Sequence, residues 1–306
     1  LMTLKETDLV NKAKILIESL PYIQQFSGKT VVIKYGGAAM TNDSLKHSVM
    51  KDIVLMKYIG IQPVVIHGGG PKISQMMKRM GKESKFVQGL RVTDHETVEI
   101  AEMVLAGSIN KEIVQLINQH GGHAVGLCGK DASLVQAKKY SPTLLSEEGI
   151  AKQIDIGYVG EVVRVNPDLL HTLKSAGYIP VIAPNGIGND GNAYNINADT
   201  VAGEVAAALV AEKLILLTDT RGLLSDPTDE STLFSTLDTD QIDDYIQKGI
   251  IGSGMLPKVF ACTIALSAGV RKTHIIDGRM KHALLLEMFT SQGIGTEILR
   301  ATDSED

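Results

Sequence analysis

VVIKYGG at residues 31–37, followed after one amphipathic segment by VVIHGGGP at residues 64–71, decides how this chain folds. Each stretch is a short apolar run of the kind that forms a strand buried on both faces, and each ends in glycines. Between them, Asp43 to Ile59 reads as a helix with Val49, Ile53 and Met56 on one face. A strand, a crossover helix and a second strand pair in parallel through a right-handed connection. Gly36, Gly37 and Gly68 to Gly70 then fall at the C-terminal edge of a largely parallel sheet. Glycines there let a phosphate reach backbone N–H groups with no Cβ in the way. Pro71 suits the first turn of a helix whose N-terminus faces the same edge. That helix carries Ile73, Met76, Met77 and Met80.

Working outward, an apolar helix is expected from Leu9 to Leu20, closed by Pro21, ahead of the first strand, Thr30 to Tyr35. Ala124 to Leu127 reads as a further strand, and Ile154 to Val165 as irregular or hairpin structure over the sheet. Alternation restarts near Tyr178, with strand Ile179 to Ala183, polar loop Pro184 to Asn197, helix Ala198 to Ala211 and strand Leu214 to Thr218. Helices Asp240 to Lys248 and Met255 to Ala268, strand Thr273 to Ile276 and helix Lys281 to Phe289 complete the chain, and DSED at the end reads as a loose tail. The expected division is residues 26–178 and 179–306, two α/β lobes after an N-terminal helical segment, 1–25.

The chain has 306 residues with 30 Lys and Arg against 35 Asp and Glu, a net charge of -5 that offers no general attraction to nucleic acid or to an anionic membrane. Cys128 and Cys262 lie in apolar runs and read as buried free thiols. No run approaches the roughly 20 apolar residues of a membrane span, and LMTLKETD has no secretory core, so a cytoplasmic location is expected. Eight histidines offer no compact ligand set with Cys or carboxylates, so no metal held directly by protein ligands is expected.

Several polar positions conflict with ordinary folding rules and so point to ligands. Lys34 ends a buried-type strand, where a cation is costly unless it meets an anion; a strand-end lysine reaching solvent is the plain alternative. Arg91, in GLRVTD, presents a planar fork suited to a carboxylate, or is a surface arginine. NDGNAYNINADT, residues 189–200, supplies an amide from Asn195 and a carboxylate from Asp199, although Asp199 and Asn197 also suit helix capping. In GSGMLPKV, Lys258 falls in the first turn of a helix, against the dipole, and a bound phosphate reverses that conflict. GIGNDG, residues 186–191, fits a dinucleotide fingerprint but opens no helix, and GKD at 129–131 lacks the rest of a P-loop.

Taken in order, VVIKYGG, VVIHGGGPKI, GLRVTD, NINAD, LLTDTRG and GSGMLPKV resemble the N-acetylglutamate kinases of the amino-acid kinase family, along nearly the whole chain. The resemblance implies a three-layer α/β/α sandwich with a largely parallel central sheet. It implies an N-terminal lobe for the acyl amino acid and a C-terminal lobe for ATP. Lys34 and Lys258 match the family's paired transition-state lysines, and Asp199 the carboxylate that orders them. Arg91 and Asn195 match the grip on N-acetyl-L-glutamate. Gly36, Gly37, Gly69 and Gly70 match backbone sites around the phosphoryl group, and Asp219 and Gly222 the nucleotide-side loop. The substrates implied are ATP and N-acetyl-L-glutamate, with Mg2+ held mostly by nucleotide oxygens.

The initial helix resembles that of the arginine-inhibited branch, which implies a hexamer, a trimer of dimers, with arginine bound near His274 and Glu287. A nitrogen-signalling trimer of the PII type is a candidate partner. Another enzyme of the same family, or a metabolite sensor without catalysis, are the competing readings. Release of ADP across a panel of acceptors separates them.

Overall fold

The computed structural model of the chain describes residues 4–145, 151–290 and 293–303, so residues 304–306 of the DSED tail lie outside it. Eight strands form one sheet: β1 (Thr30–Tyr35), β2 (Gln62–His67), β3 (Ala124–Cys128), β4 (Ile179–Ala183), β5 (Lys213–Thr218), β6 (Thr236–Asp238), β7 (Lys272–Asp277) and β8 (Thr296–Leu299). Their spatial order is β6-β8-β7-β5-β1-β2-β4-β3. Only the β7–β8 pairing is antiparallel, so six strands run one way and β6 and β8 run the other.

Among the described residues ten α-helices accompany the strands: α1 (Leu4–Phe26), α2 (Asp43–Tyr58), α3 (Gly70–Arg79), α4 (His95–Glu102), α5 (Asn110–Gln119), α6 (Asp168–Ser175), α7 (Ala198–Ala208), α8 (Thr239–Gln247), α9 (Leu256–Ser267) and α10 (Ala283–Phe289). A π-helical segment, Met103–Ile109, joins α4 to α5. The alternation of β1 sorts them. Val32 faces the core built with α6 to α9, whereas Val31, Ile33 and Tyr35 face the core built with α2 to α5 and α10. The result is the helix–sheet–helix sandwich expected. Lys34 shares the parity of Val32, which points it toward the layer containing α7 and α9.

Two expectations need correction. The first helix does not stop at Pro21 but runs on to Phe26. Pro21 is exposed, so water can serve the carbonyl it deprives, and the helix is anchored beyond it by buried Phe26 and by Tyr22 edge-on to Phe289 at 6.3 Å. The polar stretch after Pro184 is a hairpin rather than a loop: Asn185–Gly188 pairs antiparallel with Ala193–Asn195. That hairpin joins Val135–Lys139 and Gly160–Val165 in a four-stranded side sheet, which also gives regular structure to the region after Ile154. The division at residue 178 does not fall at a break in the main sheet. β4, the first strand after it, lies between β2 and β3, because its parallel partners belong to the first half of the chain.

Candidate active site

The chain winds from β1 to β2 and onward to one side of the sheet, then returns to place β5 on the other side of β1. Ligands of open α/β sheets collect at such a reversal, outside the carboxyl ends of the strands. Here those ends carry Lys34, Gly36, Gly37, the glycines after β2, and Asp219 after β5.

Lys34 is buried, and its Nζ lies 3.0 Å from Asp199 Oδ1. Lys258 of α9 approaches the other oxygen of the same carboxylate at 3.4 Å. Two features of the sequence bring these residues together. Asn197 caps α7, its Oδ1 accepting from the N–H groups of Asp199 at 2.8 Å and Thr200 at 3.3 Å, so the Asp199 carboxylate is not needed as a cap. Helices α7 and α9 also pack closely, because a Cβ on Gly203 would sit 2.6 Å from the carbonyl oxygen of Ala261. Burial favours the protonated form of Asp199, but the Lys34 and Lys258 ammonium groups outweigh it and hold the carboxyl below the usual range. The site therefore carries two cations and one anion before any ligand enters.

The glycines are there for close approach. Gly37 has φ +66°, and a Cβ on it would collide with the Asp219 carboxylate, which accepts a hydrogen bond from the Ala38 N–H. At Gly36 a Cβ would lie 2.5 Å from Lys34 Nζ, and at Gly69 it would press on Leu105 and Ile109 of the π-helical segment.

Two cavities meet at this point. The larger, about 1090 Å³, is lined by Lys34, Gly36, Gly37, Gly69, Gly70, Arg91, Asn195, Asp199 and Asp219. The smaller, about 470 Å³, is lined by Lys34, Gly37, Asp219, Gly222 and Lys258. Lys34, Gly37 and Asp219 thus belong to both.

Arg91 is buried at the far side of the larger cavity, and burial works against its charge. Its guanidinium donates to Ser84 Oγ at 2.6 Å, Ser74 Oγ at 2.8 Å and the Gly70 carbonyl at 2.9 Å, and it lies 4.8 Å from the centre of the Phe86 ring. Every one of these partners is neutral, so among the described residues the charge meets no carboxylate, and its fork is suited to an anion. Ser74, Ser84 and Phe86 are absent from the sequence reading; the only available signal was the short spacing of Ser84 and Phe86 from Arg91. Also missed were Lys46 and Lys72, which line the same cavity and share Glu112 at 2.9 and 3.0 Å.

His274 and Glu287 line neither cavity. They are buried together, His274 Nδ1 lying 2.7 Å from Glu287 Oε1, and Glu287 Oε2 accepts from the Ile294 N–H at 2.8 Å. Burial lowers the His274 pKa. It opposes ionisation of Glu287, but the His274 contact reverses that effect and leaves Glu287 below its usual range. Among the described residues no group of three or more His, Cys, Asp and Glu side chains is placed to hold a metal ion, and no helix is long and apolar enough to cross a membrane.

A sandwich with this sheet order and this edge site has relatives. Residues 29–277 match the amino acid kinase family, and the chain belongs to that family. Its relatives are more particular. The acetylglutamate kinase of Heliobacterium modesticaldum is 58% identical over 291 residues, covering 95% of this chain and 99% of the relative. That of Thermoanaerobacter pseudethanolicus is 54% identical over 302 residues, 99% and 98% of the two chains. Among solved structures, N-acetylglutamate synthase from Neisseria gonorrhoeae, complexed with coenzyme A and N-acetyl-glutamate, superposes with a TM-score of 0.78 at 26% identity. The match covers 94% of this chain and 63% of that longer one. Carbamate kinase from Giardia lamblia bound to AMP-PNP shares the fold, with a TM-score of 0.62 at 16% identity.

Proposed function

We propose that the chain transfers the γ-phosphoryl group of ATP to the side-chain carboxylate of N-acetyl-L-glutamate, forming N-acetyl-L-glutamyl 5-phosphate in the cytoplasmic synthesis of arginine. The observation that carries this reading is the Lys34–Asp199–Lys258 cluster at the junction of two cavities. A carboxylate acceptor is already ionised near neutral pH, so no general base is required. The difficulty is to bring two anions together. Lys34 and Lys258, fixed by Asp199, neutralise charge spread over the phosphoryl oxygens in an in-line transfer, and glycine N–H groups add donors to the same oxygens. Mg2+ supplies further charge neutralisation when it arrives with the nucleotide, a role that fits the donor set here, since Asp219 is the lone carboxylate the two cavities share. The larger cavity takes the acyl amino acid against Arg91 and Asn195. The smaller takes the nucleotide against Gly222, Asp219 and Lys258. ADP release measured with N-acetyl-L-glutamate, glutamate, aspartate, carbamate and UMP tests the assignment, and turnover confined to another acceptor, or to none, overturns it.

Arg91→Lys is expected to raise the KM for N-acetyl-L-glutamate by about tenfold or more, with a smaller change in kcat. One ammonium reproduces neither the fork nor its contacts with Ser74, Ser84 and Gly70. An unchanged saturation curve removes Arg91 from the acceptor site.

The same reading extends to assembly and control. Leu9, Ile15, Leu16, Ile17 and Leu20 of α1 are all exposed, Ile17 to 69% and Leu16 to 71%, an apolar surface that a monomer has no use for. This supports a hexamer in which α1 joins dimers. Tyr22 of α1 touches Phe289 of α10, two residues after Glu287, so arginine bound beside Glu287 and His274 is positioned to feel how α1 is engaged. Feedback inhibition then requires arginine to bind one of two states more tightly. Deleting residues 1–25 is expected to convert hexamers to dimers and weaken arginine inhibition while sparing most basal turnover. Light scattering reads the first effect and arginine titration the second. Persistent hexamers refute the assembly role, and unchanged inhibition the regulatory one.

A further inference from the structure

His67, the last residue of β2, is completely buried beside the glycine run and takes no part in the chemistry above. Its Nδ1 lies 2.9 Å from the carbonyl oxygen of Gly68, and its Nε2 lies 3.3 Å from Nδ2 of Asn110. Asn110 is itself fully buried at the junction of the π-helical segment and α5.

The proton positions follow from the surroundings of Asn110. Its Nδ2 faces two backbone carbonyls, Val181 at 2.9 Å and Leu127 at 3.3 Å, while its Oδ1 accepts from Lys111 Nζ at 3.1 Å. With Nδ2 on the side of His67, and with the Gly68 carbonyl able only to accept, Nδ1 is the ring nitrogen that donates and Nε2 faces the amide as an acceptor. The imidazole carries its single proton on Nδ1 and donates it to Gly68. Burial, with a smaller contribution from nearby Lys111, pushes the His67 pKa down to about 4 despite the Gly68 bond, which keeps the ring neutral.

A planar trans peptide directs its C=O and N–H to opposite sides. A Gly68 carbonyl tied inward to His67 therefore turns the Gly69 N–H outward, and Gly69 lines the larger cavity. Glycine on both sides of this bond removes the steric barrier that would otherwise prevent the peptide from flipping. A flip would replace an anion-binding donor by a carbonyl oxygen.

We propose that His67 is a positioning residue: as the Nδ1–H tautomer held by Asn110, it locks the Gly68–Gly69 peptide with its N–H toward the transferred phosphoryl group. This deepens the phosphoryl-transfer reading and rests on it.

His67→Gln and His67→Asn test the lock. An Asn amide nitrogen can stand close to the position of Nδ1 and keep the bond to Gly68, whereas Gln extends its amide to the Nε2 position and loses it. H67Q is expected to lower kcat by about 10²-fold, the scale for losing one oxyanion donor, with KM for N-acetyl-L-glutamate changed only a few-fold. H67N should retain kcat to within about tenfold, having lost only the bond to Asn110. Thermal unfolding identifies a variant that has lost its fold, and crystal structures of both variants read the Gly68 carbonyl directly. Parental kcat in folded H67Q, equal losses in the two variants, or an unturned carbonyl in H67Q would each overturn the proposal. If the parent protein phosphorylates none of the panel acceptors, the functional reading fails. The carbonyl orientation in the two variants still decides whether His67 is the lock.

Discussion

Asp199→Asn is expected to lower kcat by about 10²-fold or more while leaving the start of α7 intact. Asn is itself a good capping residue, and the cap belongs to Asn197, which accepts from the Asp199 and Thr200 N–H groups. The substitution therefore isolates charge from helix geometry. Asp199 pairs with both lysines through different oxygens, at 3.0 and 3.4 Å. An amide in its place offers one oxygen and one NH2 group, and the NH2 opposes an ammonium. Lys34 and Lys258 then repel each other without the carboxylate between them and, on the proposed reading, turn away from the positions in which they meet the phosphoryl oxygens. Stopped-flow measurement of the chemical step, with thermal unfolding as a control, checks this. Near-parental turnover would leave Asp199 as part of an ordinary helix start.

Lys34→Ala and Lys258→Ala are each expected to reduce kcat by about 10²-fold or more, since each removes a cation aimed at charge that develops in the transition state. The two losses should not multiply in the double variant. In the proposed reaction both lysines act on one phosphoryl group, and both pair with one carboxylate; residues that act as a unit give grossly non-additive effects. The variants should differ in binding. Lys34 lines both cavities and Lys258 only the smaller one, so Lys258→Ala is expected to weaken nucleotide binding with little change for the acceptor. Calorimetric titration with each ligand separately reads this difference. Near-parental turnover in either single variant excludes that lysine from the transfer step.

Much of this site was legible because it rests on local conflicts. Buried-type runs ending in glycines located the sheet edge, and Lys34 and Lys258 were conspicuous as cations in places that disfavour them. The parity of β1 against the two cores sets the face on which Lys34 emerges, and that is read from the structure. Which helix covers that face is decided by packing between α7 and α9, and nothing in either segment alone announces the close approach of Gly203 to Ala261. The place of β4 between β2 and β3 has the same origin, since strand order is a matter of non-local pairing. The hairpin after Pro184 escaped because its Asn- and Gly-rich strands pair outside the main sheet. Pro21 misled because its cost depends on whether solvent reaches the freed carbonyl, which only the exposed outer surface of α1 reveals. Ser74, Ser84 and Phe86 carried little signal beyond the nearness of the last two to Arg91, because their contacts are with that side chain.

The walls that the two cavities hold in common have a consequence for inhibition. Lys34, Gly37 and Asp219 bound both spaces, so what enters one lies beside what enters the other. On the proposed assignment, a molecule that carries a nucleotide at one end and an acyl amino acid at the other needs only a short linker past these residues. Its second half then binds as an intramolecular event, at the effective concentration set by that linker rather than at the concentration in solution.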